Sequence, residues 1–136
     1  MNSEIKISTD KNELDIEFIN SFISNSYWAK GRTLDNMKVL VNNSLNFGLY
    51  LNDNQIGYAR VVTDYGQFAY LMDVFIIEEQ RGNGFSKMLM DFIMTYQEIE
   101  DVKVWRLATV DAHKLYEKYG FQQLKNPEKL MELIKA

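Results

Sequence analysis

Apolar positions alternate between helical and strand-like spacing along the chain. Residues 4–8 alternate as a short strand. Over 12–24, Leu14, Phe18, Phe22 and Ile23 share one helical face, which Ile16 and Ile19 widen. Tyr27 to Arg32 breaks the pattern as a loop rich in aromatic and charged side chains. Thr33 can cap a second helix running to about Asn43. Phe47 to Leu51 reads as a strand, Asn52 to Asn54 as a turn, and Gln55 to Asp64 as a second strand. Tyr65-Gly66 is a tight turn, and Phe68 to Ile77 is apolar on both faces, as a central strand would be. A helix from about Gly84 to Gln97, a strand over 102–108, a helix over 112–119 closed by Gly120, and a strand over 121–124 follow. From Pro127 the spacing fits either period. This order predicts a mixed α/β (α+β) domain spanning 1–136.

The junction of the central strand with the next helix is Arg81-Gly82-Asn83-Gly84-Phe85-Ser86. Glycines let backbone N–H groups turn outward, a helix start adds partial positive charge, and Arg81 adds a full one. An anion site and a plain strand-to-helix turn both fit these residues. The P-loop ending Gly-Lys-Ser/Thr and the third glycine of the dinucleotide fingerprint are both missing.

Composition narrows the partners. A hydrophobic share of 46% over 136 residues fills one real core. A net charge of −4 leaves no general basic surface for nucleic acid, and suits a cationic substrate such as an amine. The absence of cysteine excludes disulfides, thiolate metal sites and a cysteine nucleophile, and no metal site is expected. The first residues lack a signal-peptide pattern, and no apolar run approaches the roughly 18 residues of a membrane helix. A cytoplasmic protein with no membrane partner is the expectation.

About 30 residues after the glycine loop comes a second motif, in which Ala112, Tyr116, Glu117, Lys118, Gly120 and Phe121 stand at the spacing Ala-x-x-x-Tyr-Glu-Lys-x-Gly-Phe. With Arg81-x-x-Gly84, the chain resembles the GNAT superfamily of acyl-CoA-dependent N-acetyltransferases. It is also similar to a bacterial subgroup with a Tyr-Trp-Ala-x-Gly-Arg loop and a Thr-Asp-Tyr…Asp-Val-Phe hairpin. The resemblance implies a mostly antiparallel sheet of about six to seven strands flanked by about four helices. It implies acetyl-CoA as cofactor. Its pyrophosphate would lie on Arg81, Gly82, Asn83, Gly84, Phe85 and Ser86, and its arm along the backbone of Val74, Phe75 and Ile76. Lys87, Thr109 and His113 are further cofactor candidates. Ser86 stands where the family has Gly or Ala, and Thr109 where many members have a cofactor-contacting asparagine.

Acetyl transfer needs an acid for the departing thiolate, and the resemblance gives that role to Tyr116; a buried packing tyrosine is the alternative. Asp73 interrupts an apolar strand. It can serve catalysis, bind the substrate ammonium, or form a structural pair with Arg60. If Tyr65-Gly66 is a two-residue turn, Asp73 faces Tyr58, with Arg60 diagonal; a bulge would break that register. Asp111 is the expected cap of the helix carrying Tyr116. Tyr27, Trp28, Arg32, Tyr58, Arg60 and Tyr65 are candidates for the acceptor pocket, Arg32 as a carboxylate clamp, while Trp28 fits a packing anchor better. Direct attack by a small-molecule or peptide amine in a ternary complex fits a chain without cysteine. The rivals are a non-catalytic acyl-CoA-binding module and an interaction protein; a homodimer fits the family.

Overall fold

The computed structural model describes residues 4–135. Five strands form one sheet in the order β1 (Ile5–Ser8), β2 (Leu45–Leu51), β3 (Asn54–Thr63), β4 (Phe68–Ile76) and β5 (Val104–Leu107). The first three pairings are antiparallel and β4–β5 is parallel, as the crossover through an intervening helix requires. The helices are α1 (Ile16–Ser24), α2 (Leu34–Asn42), α3 (Phe85–Met94) and α4 (His113–Glu117).

Local chemistry sets several boundaries. Thr33 accepts the N–H of Asn36 at 3.1 Å and starts α2 as expected. Asp15 accepts the N–H of Phe18 at 3.0 Å, so the expected helix over 12–24 divides into a 3-10 turn at Lys11–Glu13 and α1. The left-handed Gly120, at φ 93°, ends α4. The expected strand over 121–124 does not form: Phe121 packs edge-on against Tyr116, ring centroids 6.0 Å apart, and the sheet of the described residues has five strands.

Both sheet faces are buried. Ile19, Ile23, Met37 and Val41 of α1 and α2 pack with Tyr58 and Phe75 on one face. Leu89, Met90 and Ile93 of α3 pack with Phe47, Val61 and Leu71 on the other. The β3–β4 hairpin turns through three residues, not two. Asp64 Oδ1 accepts the N–H groups of Gly66, Gln67 and Phe68, which together hold its carboxyl down at about 2. Thr63 therefore pairs with Ala69 and Arg60 with Met72, one residue off the two-residue-turn register.

A second shift has more consequence. Arg60 opposes Met72, but Tyr58 opposes Phe75, so Asp73 and Val74 together face Ala59. This is a β-bulge, with Asp73 left-handed at φ 54°. Regular alternation would place Asp73 among Ala69 and Leu71 on the apolar α3 face. The extra residue turns it to the α1–α2 face beside Arg60, and hands Val74 and Ile76 to the α3 face.

Candidate active site

Strands β4 and β5 pair only over Phe68–Leu71 against Val104–Leu107. Past Leu71 the bulge bends β4, β5 ends, and the two part. The gap is a cleft of about 1040 Å³. Its walls are the unpaired edge of β4 from Met72 to Ile76, the segment Thr109–Ala112 with Tyr116, and the end of α1 with Tyr27, Trp28 and Arg32. The free edge of β4 offers peptide groups to an extended ligand, as a sheet edge does to an added strand.

One end of the cleft is an anion cradle. Gly82 and Gly84 are left-handed, at φ 82° and 79°. Gly84 starts α3 with no side-chain cap, which leaves the first-turn N–H groups without an intrahelical acceptor. Arg81 Nε donates to the Ile76 carbonyl at 3.1 Å, which fixes the guanidinium by one nitrogen at the strand end. Asn83 Nδ2 donates to the Gln80 carbonyl at 3.2 Å and braces the loop. A recess of about 110 Å³ lies between Arg81, Gly84 and Ser86. These donors fit a phosphate group. A Gly84→Ala change meets no atom within 4 Å, so its cost is the left-handed backbone alone, about 1 to 2 kcal/mol. Urea unfolding checks this: the midpoint falls, and an unchanged midpoint contradicts the strain.

The other end of the cleft is built on Asp73, whose side chain has no exposed surface. Its Oδ2 accepts from Arg60 Nε and Arg32 Nη1, each at 2.8 Å, and its Oδ1 from Trp28 Nε1 at 2.9 Å. Arg60 continues to Ser44 Oγ at 3.2 Å. The bulge thus ties the loop after α1 to the middle of the sheet.

Tyr116 belongs to the same cleft. It is 8% exposed and lines the cleft from the first turns of α4. Burial pushes its phenol above the ordinary value, with smaller contributions from Tyr27 and Asp111. The hydroxyl therefore keeps its proton at neutral pH. Thr109, not Asp111, supports the start of α4: its Oγ1 accepts the Ala112 N–H at 3.1 Å.

The cleft and its recess bring together Tyr27, Trp28, Arg32, Asp73, Val74, Phe75, Ile76, Arg81, Gly82, Gly84, Phe85, Ser86, Thr109 and Tyr116. Other candidates lie elsewhere. Lys87 pairs with Asp91 at 3.1 Å on the exposed side of α3, and Tyr119 donates to the same carboxylate at 2.6 Å. His113 is exposed and does not line the cleft. Tyr58 is fully buried and donates to Asn46 Oδ1. Arg60 sits behind Asp73. Tyr65 is at the hairpin tip, in the field of Glu98 and Tyr96. The sequence reading missed Phe22, whose ring stacks on Phe75 at 4.0 Å, and Asn25 and Ser26, which line the cleft at the end of α1. Phe22 was legible only as core, because core and pocket aromatics share the same spacing.

Residues 42–123 match the family model described as acetyltransferase (GNAT) domain. A Xanthomonas campestris pv. campestris protein assigned to the GNAT family of acetyltransferases is 41% identical. The match covers 97% of this chain and 94% of that one, at a TM-score of 0.94. A Staphylococcus aureus protein of unknown function, described as a probable acetyltransferase, is 25% identical over 98% of this chain and 100% of that one, at a TM-score of 0.76. A Clostridium acetobutylicum protein assigned as an acetyltransferase, solved with acetyl-CoA, shares the fold: 18% identity, TM-score 0.68, 98% and 96% covered. A Gibberella zeae protein assigned as an acetyltransferase is 27% identical over 107 residues, covering 64% of this chain. The matched region spans 60% of that relative's length. The family match over most of the chain, together with the close likeness to the Xanthomonas structure, shows that the chain belongs to the GNAT acetyltransferase family.

Proposed function

We propose that residues 1–136 form one N-acetyltransferase domain that passes the acetyl group of acetyl-CoA to an amine. The observation that carries this reading is the cleft itself: an anion cradle, a free strand edge and a protonated phenol share one cavity. Bound acetyl-CoA supplies the activated acetyl group as a thioester. Arg81 and the first-turn N–H groups of α3 hold the diphosphate. The backbone of Val74, Phe75 and Ile76 takes up the extended arm, because β5 leaves that edge free. The Tyr116 hydroxyl holds a proton available to the departing sulfur. Asp73 serves as a positioning residue: two guanidinium groups and an indole occupy its carboxylate and hold it in place.

The Clostridium neighbour solved with acetyl-CoA supports the cofactor assignment by fold alone. The test is thiol release from acetyl-CoA across a panel of amines. Release that depends on an added amine is expected. Acetyl-CoA binding without release for any amine would leave a binding module, and no binding would overturn the cofactor assignment.

A further inference from the structure

The charges around Asp73 do not balance. Asp73 is one anion against two guanidinium groups, both on Oδ2. Arg60 is enclosed and complete, with Ser44 Oγ and Met72 Sδ on its outer nitrogens. Arg32 differs. It lines the cleft, and Asp73 is its one ion-pair partner among the described residues. Both of its hydrogen bonds, to Asp73 and to Met37 Sδ at 3.9 Å, use Nη1. The edge formed by Nε and Nη2 makes no hydrogen bond to the described residues, and that edge is the fork that matches a carboxylate. One positive charge and two parallel donors therefore remain at a site whose side chain is 15% exposed.

The same cleft also holds aromatic rings and a second carboxylate. Trp28 joins Asp73 to Tyr27, whose ring meets the indole edge-on at 5.2 Å. Tyr27, Asp111 and Tyr116 all line the cleft. An aromatic face and a carboxylate favour an ammonium there. Two hydrogen bonds and a ring contact join Arg32, Asp73, Trp28 and Tyr27 in that order, and Tyr116 lines the same cleft.

We infer that the acceptor is an amine that also carries a carboxylate, with the carboxylate on the Nε–Nη2 edge of Arg32 and the amine toward Tyr116. The inference rests on the acetyl-transfer reading of the same cleft. Its test pairs each standard amino acid with its carboxamide as acceptor, and follows thiol release with wild type, Arg32→Met and Arg32→Lys. Calorimetry with acetyl-CoA runs alongside. For the amino acids that turn over, kcat/KM exceeds that of the carboxamide by about 10- to 100-fold, as for a hydrogen bond to a charged group. Arg32→Met brings the two together, and Arg32→Lys, which keeps the charge without the fork, keeps part of the difference. Equal turnover of acids and amides, or a difference that survives Arg32→Met, overturns the carboxylate assignment. So does acetyl-CoA binding without turnover of any panel member. Failure to bind acetyl-CoA instead overturns the acetyl-transfer reading beneath it.

Discussion

Tyr116→Phe lowers turnover by about 10²- to 10⁴-fold, the range of a positioned proton donor, and leaves the dissociation constant of acetyl-CoA in place. The substitution removes one oxygen from a ring held against Phe121, so the packing of α4 survives. The anion cradle lies on other elements, at Arg81 and the start of α3. Loss of turnover without loss of cofactor separates an acid from a packing residue. The pH profile gives a second readout. The folded phenol lies above its ordinary value of about 10, and the group acts while protonated. Activity therefore persists through neutral pH and is lost as pH rises through that raised value. An alkaline limb near neutrality, or unchanged turnover in the phenylalanine variant, removes Tyr116 from the mechanism.

Asp73→Ala unfolds the protein more easily, by about 3 to 5 kcal/mol. The wild-type carboxylate is fully enclosed and takes three hydrogen bonds from Arg32, Arg60 and Trp28. Its removal leaves two guanidinium groups facing each other, and Arg60 is buried. The left-handed backbone at position 73 remains strained for alanine, without the contacts that offset it. Urea unfolding reads the loss directly. Asp73→Asn separates two roles: it retains an acceptor for the Trp28 N–H but loses the charge. A positioning role predicts that stability falls with activity. A wild-type unfolding midpoint with abolished turnover would make Asp73 a catalytic residue instead.

Legibility in the sequence followed the range of the forces. Thr33, Gly84 and Gly120 act within one turn of helix, and each stands at the boundary its chemistry implies. The glycine loop and the motif around Tyr116 were readable together, because the strand edge and helix between them bring both to one cleft. The Asp73 register was not readable. It depends on three backbone N–H groups gathered by Asp64, which lengthen the hairpin loop, and on a bulge stabilised by Arg60 from a neighbouring strand. Neither leaves a periodic trace. The segment 121–124 has strand-like apolar ends, but a strand also needs an edge to pair with, and Phe121 is committed to Tyr116. Lys87 shows the converse: it stands near a helix start by sequence, yet the turn of α3 carries it to Asp91.

In the proposed function, the cleft between β4 and β5 holds acetyl-CoA through Arg81 and the start of α3. Calorimetric titration of the wild type and Arg81→Ala with acetyl-CoA tests it most directly. One molecule is expected to bind per chain, with affinity weakened by about 10- to 100-fold in the variant, the worth of a charged hydrogen bond. No binding to the wild type, or equal affinity in both, would contradict it.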